Sequence, residues 1–327
     1  MQTLANSQET IMQGDAGAFL PFHIDGDTEA KDIYNPSIPF KIGDSNFILA
    51  RVEDAGKESD SEVCLFDVNS HYGLVSRATI KNMQDPYHMG QFIVDGKLAS
   101  VFGGVKINVD SAGEIASYGD IWYTCPTELG HPLLGETLQD CTELDIVVNG
   151  IERWKDTRAI QLHDRVAVFP RPQGDFGGNG SIGYFESATL QDVTDDLLTY
   201  AKRADESTLL KGIFKPKEWG GVNQILDYNY SDGTFRLIGH RARWVVRDGA
   251  RVRDYEAVYF EYNRYTKVVA NIGVIATADD FVPISPKKLE GKESTLGKVV
   301  FPAGVSNGVL YAGVGDRRIS NKHLPFL

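Results

Sequence analysis

The chain lacks any excess of basic charge: 33 lysines and arginines face 45 aspartates and glutamates, for a formal net charge of −12. A nucleic-acid groove or an anionic membrane surface calls for a basic stripe, so neither partner is expected. Cysteine is scarce, and Cys64, Cys125 and Cys141 form no C-x-x-C pair. Their odd number and spacing argue against a disulfide framework and for free thiols in a reducing compartment. No stretch approaches the ~18 uninterrupted apolar residues of a spanning helix. The first twenty residues contain no Lys, no Arg and no long apolar run, so no leader is expected and the protein reads as cytoplasmic. The seven histidines show no H-E-x-x-H and no paired spacing, so no metal site is expected.

What the chain does have is a repeat. Five times a short polar signature precedes an apolar run, a tight Gly/Asp/Asn turn and a second apolar run. The signatures open at Asn35-Pro36, Asp85-Pro86, Lys155-Asp156, Gly221-Val222-Asn223 and Val299-Val300-Phe301. Turns such as Asp95-Gly96, Asp232-Gly233 and Asn307-Gly308 sit between runs rich in Val, Ile, Phe and Tyr, as hairpins require. Repeats of this kind set the fold class: all-β, a five-bladed β-propeller with one short inter-blade helix. That helix is predicted over residues 187–202, where Leu190, Val193, Leu197 and Ala201 recur at helical spacing. No linker or composition shift divides the chain, so residues 1–327 read as one domain, with 1–30 an extension that packs on or closes the propeller.

A propeller gathers the starts of its innermost strands around one axial pocket, which gives the polar signatures a shared address. Asp85 in Gln84-Asp85-Pro86 is the carboxylate at such a position. Arg51, Lys155, Arg158, Arg171, His240, Arg241 and Arg243 fall inside or just after the apolar runs. Strand-embedded arginines need an ion-pair partner or an anionic ligand, and several cations beside a histidine suggest phosphate or pyrophosphate. A glycosidase needs two carboxylates. Phosphate is itself a nucleophile, so a phosphorylase needs one acid and a cationic cradle. Other motifs are weaker. The glycine-rich Gly177-Gly178-Asn179-Gly180-Ser181-Ile182-Gly183 lacks the ending of a P-loop and reads as a tight hairpin turn. Asp25-Gly26-Asp27 has the form of a sugar-nucleotide metal motif without the α/β surroundings of one.

The ordered series Asn35-Pro36, Ala50-Arg51-Val52-Glu53, Gln84-Asp85-Pro86, Lys155-Asp156-Thr157-Arg158, Arg171-Pro172-Gln173-Gly174, 218–223 and Gly239-His240 resembles domain of unknown function 1861. That family is also grouped as glycosyltransferase family 108, the β-1,2-mannosyltransferase/phosphorylases. The resemblance covers about residues 30–327. A more distant likeness is to glycoside hydrolase family 130, five-bladed mannoside phosphorylases. It rests on residues 299–304 and 311–316 and on Gln84-Asp85-Pro86, where that family has Glu-Asp-Pro-Arg and this chain has Gln84 and Tyr87 at the ends.

The resemblance implies that Asp85 is the general acid, its proton passing through a sugar hydroxyl. It implies that Asn35, Arg51, Lys155, Asp156 and Asp316 contact sugar, and that Arg171 and His240 hold phosphate. Arg243 joins the phosphate group because it shares a strand face with Arg241 and lies near His240 in sequence. The expected function is an inverting β-mannoside phosphorylase/mannosyltransferase. It would use no cofactor, inorganic phosphate as co-substrate, and GDP-mannose as a further donor. Its partners would be an oligosaccharide with phosphate or a sugar nucleotide. Two alternatives stay open. One is a propeller hydrolase drawing its second carboxylate from Glu53, Asp60, Glu62, Asp156 or Glu218; the other is a non-catalytic binding propeller.

Overall fold

The computed structural model describes residues 10–11, 17–22, 31–42, 44–55, 60–68, 73–125, 145–174, 177–285, 287 and 296–325. Five antiparallel meanders follow one another along them. The first comprises Lys31–Tyr34, Ser45–Asp54, Glu62–Asp67 and Gly73–Lys81, with Phe40–Ile42 also paired to the second of these. The second comprises Met83–Val94, Lys97–Val109, Ile115–Cys125 and Asp145–Asn149. The third is shorter, with Arg158–Gln161, Val166–Phe169 and Phe185–Ser187. The fourth is the longest: Glu218–Asn229, Thr234–Arg247, Ala250–Asn263 and Val268–Ala276. The fifth, Leu296–Ser306, Val309–Val314 and Arg318–His323, takes Ala18–Phe19 from the start of the chain as an antiparallel edge strand.

The all-β expectation and the short helix are both present. Asp95-Gly96 and Asn307-Gly308 put two consecutive residues at positive φ. Such turns match the right-handed twist of the strands they join and so close two-residue hairpins. The helix runs Val193–Arg203 between the third and fourth meanders, with Val193 and Leu197 buried and Asp195 and Asp196 in its first turn, where the helix dipole favours negative charge. Hydrogen bonding does not, however, keep five sheets apart. Arg253 pairs in parallel with Leu296, and Tyr255 with Val299, so the fourth and fifth meanders fuse and four sheets result. Asp25-Gly26-Asp27, Cys141 and most of residues 1–30 lie outside the described residues.

Alternation along the strands buries one apolar cluster between each pair of successive meanders. Phe47, Leu49 and Leu65 meet Phe102 and Tyr123; Phe92, Val101 and Trp122 meet Ala159, Val166 and Val168, with Leu190 and Val193 from the helix segment. Phe169 and Leu162 meet Phe235, Leu237 and Phe260, and Ile238, Tyr259 and Ile275 meet Val300, Leu310 and Ala312. The last cluster packs Ile319 of the fifth meander on Ile33, Val52 and Phe66 of the first. Phe235 is fully buried, with ring centroids of Phe169 and Tyr228 at 5.2 and 4.5 Å. Phe235→Ala should therefore lower unfolding stability by about 3–5 kcal/mol, measurable as a lowered urea midpoint.

Candidate functional site

Asn35, Asp85, Asp156 and Asp316 share one backbone feature: φ of 44°, 48°, 63° and 52°. Left-handed backbone is unfavourable for side chains with a Cβ, and Asn and Asp tolerate it best among them. Asn35, Asp85 and Asp156 stand at the polar signatures, and Asp316 in the turn between the last two strands of the fifth meander. The kinked backbone explains why these positions hold Asn or Asp.

Seven of the expected site residues line one cavity of about 150 Å³: Asn35, Arg51, Asp85, Lys155, Arg171, His240 and Asp316. All five meanders or their connecting turns contribute. Asp85 is buried at its centre. It accepts from Asn35 Nδ2 at 2.8 Å, from Arg51 Nη1 at 3.4 Å and from Lys155 Nζ at 3.4 Å. Burial by itself raises a carboxyl's pKa, but here Lys155, Arg51 and the Asn35 hydrogen bond outweigh it and hold Asp85 well below the usual range. Lys155 is the converse case. Burial would lower its pKa, and the carboxylates of Asp85 and Asp156 raise it above the ordinary lysine value.

Arg171 is fixed from three sides. Its Nη1 donates to Asp156 at 2.7 Å, its Nε to the Gly220 carbonyl at 2.8 Å and its Nη2 to the Asn179 carbonyl at 3.1 Å. The glycine-rich segment thus wraps a guanidinium with its backbone. A Cβ at Gly180 would lie 2.5 Å from Arg171 Nε, and one at Gly221 2.6 Å from its Cδ, so only glycine leaves room for this side chain. His240 stands 4.7 Å from the Phe301 ring, and its Nδ1 is 2.8 Å from Asn223 Oδ1. Burial, then the charges of Arg171, Lys155 and Arg158, push its pKa well below the ordinary histidine value, so the ring is neutral.

Two expected residues are elsewhere. Asp156 is fully buried, does not line the cavity and accepts from Arg171, whose guanidinium it orients. Arg243 is 45% exposed, 3.9 Å from Glu218 and 3.6 Å from Glu256. Strand alternation is the reason: residues 241 and 243 share one face, and His240 points to the other. Tyr87 also stays away from the cavity, with its hydroxyl accepting from Trp122 Nε1 and Arg158 stacked 3.4 Å above its ring.

Of the supporting residues, Lys287 and Asp120 were not singled out by sequence reasoning, and Glu53 was weighed there as a second carboxylate. Glu53, buried, accepts from Tyr34, Arg51, Ser61 and Lys287, and so fixes Arg51 from behind. Lys287 also lines the cavity, and burial followed by the nearby Arg51 lowers its pKa to about 8. Asp120 is buried and receives the backbone N–H groups of Asp156 at 3.1 Å and Thr157 at 2.7 Å, which anchors the turn carrying Lys155. Burial first, then the Asp156 charge, push Asp120 up to about 7. Nothing local in the sequence marks Lys287 or Asp120, because Glu53 lies 234 residues from the first and the turn Asp120 holds lies 36 and 37 residues from the second.

A wider cleft of about 620 Å³ opens beside the cavity and shares Gln84, Lys155, Arg171, Arg253 and Tyr255 with it. Trp219, Trp244 and Tyr118 line it, Arg153 adds a further cation, and none of the described lining residues is a carboxylate. Among the described residues, no group of three or more His, Cys, Asp or Glu could hold a metal ion. No helix among them is long and apolar enough to cross a membrane.

Asp85, ringed by cations beside an aromatic cleft on an all-β scaffold, centres the site, and the similarity to a mannose phosphorylase makes the protein a carbohydrate-active enzyme. The chain belongs to the family described as protein of unknown function DUF1861, whose model matches residues 18–324. Among solved structures it is similar to MPT-4, a mannose phosphorylase from Leishmania mexicana in complex with phosphate ion. That match has 26% identity and a TM-score of 0.74, covering 96% of this chain and 89% of the other. It is also similar to MPT-1, a GDP-Man-dependent mannosyltransferase from the same organism, at 23% identity and TM-score 0.71 over 97% and 91% of the two chains. A hypothetical protein from Leishmania major matches at 24% identity and TM-score 0.66 over 98% and 92%. No curated protein sequence matches.

Gly180→Val should displace Arg171 and strain a backbone at φ 136°, lowering unfolding stability by about 1–3 kcal/mol, measurable as a lowered urea midpoint. Asp120 makes a second, pH-dependent prediction. Its folded-state pKa is raised, so the stability it contributes is present below the ordinary aspartate value and is lost as pH rises through about 7. Asp120→Asn should therefore show a smaller drop in denaturation midpoint between pH 5 and pH 8 than the parent protein.

Proposed function

We propose that the protein is an inverting β-mannoside phosphorylase/mannosyltransferase built as a single five-bladed β-propeller domain. The ring is supported by the five apolar clusters, which link each meander to the next and the fifth back to the first. The activity is supported above all by one observation: the buried carboxylate of Asp85, held ionised between Lys155 and Arg51 beside a separate Arg171–His240 corner. The likeness to a mannose phosphorylase that binds phosphate agrees with it. The broader class, glycosyltransferase or glycoside phosphorylase, follows from the same similarity.

In phosphorolysis, an oxygen of phosphate held by Arg171 attacks the anomeric carbon from the face opposite the leaving sugar. The C1–O bond to the leaving sugar breaks, a C1–O–P bond forms with inversion, and mannose 1-phosphate results. The departing oxygen takes a proton delivered by Asp85, directly or through a sugar hydroxyl. Because Asp85 rests ionised, it first takes this proton from solvent; the P–OH of the bound hydrogen phosphate returns one to solvent once mannose 1-phosphate has formed, so over the whole turnover Asp85 ends as it began. In synthesis the steps reverse, and Asp85 acts as base toward the acceptor hydroxyl. Its resting ionised state suits that direction. Asn35, Arg51, Lys155 and Asp316 surround the mannosyl ring, while Asp156 and Asp120 position Lys155 and Arg171. The adjoining aromatic cleft receives the leaving or accepting sugar, since aromatic faces and neutral polar edges suit pyranose rings.

The hydrolytic alternative loses most of its candidates. Glu53 is occupied by four donors, Asp156 lies behind Arg171, and Glu218 faces Arg241 and Arg243. Among the described residues, Asp316 is the one further carboxylate lining the cavity. Incubation with short β-1,2-mannooligosaccharides should yield mannose 1-phosphate only when inorganic phosphate is present. Asp85→Asn should lower that turnover by about 100- to 10,000-fold, the range for loss of a general acid. Free mannose released equally without phosphate would replace the proposal with hydrolysis by the Asp85/Asp316 pair.

A further inference from the structure

His240 holds an unused polar atom in the cavity. The residue is 1% exposed, lines the space beside Arg171, and its Nε2 has no hydrogen-bond partner. Its other ring nitrogen faces Asn223 Oδ1 at 2.8 Å. A carbonyl oxygen only accepts, so with the Asn223 amide turned this way, its own Nδ2 without a partner among the described residues, the imidazole hydrogen sits on Nδ1, and in a neutral ring Nε2 is then a bare lone pair. Neutrality follows from the surroundings: the ring is buried, and Arg171, Lys155 and Arg158 all oppose a further positive charge. Phe301, whose ring centroid is 4.7 Å away, and Gly221, where a Cβ would meet both Arg171 and His240 Cε1, hold the ring where it is.

Resting on the reading that phosphate occupies this cavity, we infer that His240 recognises it as an acceptor, taking a P–OH hydrogen at Nε2, and so selects phosphate over oxyanions that carry no hydrogen. Arg171 and Lys155 supply donors for the unprotonated oxygens, which leaves the attacking oxygen bare and the protonated one turned to His240. Near neutral pH both forms of inorganic phosphate carry at least one P–OH, whereas sulfate carries none. Sulfate matches phosphate in shape, so Arg171 alone cannot separate them. Against Nε2 it would place an oxygen lone pair opposite a nitrogen lone pair, leaving both buried acceptors unsatisfied.

The test is calorimetric titration of the full chain with inorganic phosphate and with sulfate at pH 7, together with nitrogen-15 NMR of the histidine-labelled protein to read the His240 tautomer. Phosphate should bind on the order of 10- to 100-fold more tightly than sulfate, and the His240 spectrum should report hydrogen on Nδ1. In His240→Phe phosphate binding should fall to the level of sulfate, with sulfate little changed. Equal binding of the two anions, or hydrogen found on Nε2, would overturn the inference while leaving phosphate as the ligand. Failure of either anion to bind would instead remove the phosphate reading together with the inference. Should the phenylalanine variant not fold, the phosphate-to-sulfate ratio of the parent protein decides the matter alone.

Discussion

Everything else in the site depends on the buried ion cluster in which Asp85 sits between Lys155 and Arg51. Removing these charges from water costs several kcal/mol for each ion, and mutual attraction offsets the cost only when the geometry is held and the remaining polar atoms are satisfied. The cluster draws on the first and second meanders and on the turn that enters the third. No single hairpin could assemble it. The packing that brings those units together is therefore also what keeps Asp85 ionised.

A second layer holds the first. Glu53 gathers Tyr34, Ser61, Lys287 and Arg51; Asp120 grips the backbone of Asp156 and Thr157; Asn223 fixes the His240 ring. Each is a buried polar group whose partners would be left unsatisfied without it, which makes the layer stiff. The site can then present a neutral histidine next to an arginine and a lysine without the imidazole taking up a proton. Charge is concentrated on Arg171 and Lys155, and His240 faces the cavity as a neutral ring.

Backbone conformation supplies the third constraint. Asn35, Asp85, Asp156 and Asp316 all adopt left-handed φ, and Gly180 and Gly221 leave the space that Arg171 occupies. Left-handed residues carry a conformational cost that persists only where the surroundings over-determine them. Here the hydrogen bonds to Asp85 and from Arg171 to Asp156 do so. The same residue types that tolerate this backbone also carry the oxygens and amides the site uses.

Much of this was legible in the sequence. Turn pairs such as Asn307-Gly308, alternating Val/Ile/Phe runs and the helical spacing around Val193 and Leu197 act over a few residues, so local chemistry alone determined an all-β chain with one helix. The basic residues in or just after the apolar runs likewise included Lys155, Arg171 and His240, and the family resemblance joined them to Asp85. Tertiary structure decided the rest. Lys287 meets Glu53 across 234 residues, and Arg158 meets the Asn223 carbonyl across 65, separations at which sequence carries no distance information. It also decided which way each polar side chain turns: His240 faces the cavity, Arg243 turns to Glu218 and Glu256, and Asp156 pairs with Arg171 away from the cavity lining. Composition supplied the charges, but only the packing of one meander on the next fixed which were paired with each other and which were left facing the cavity.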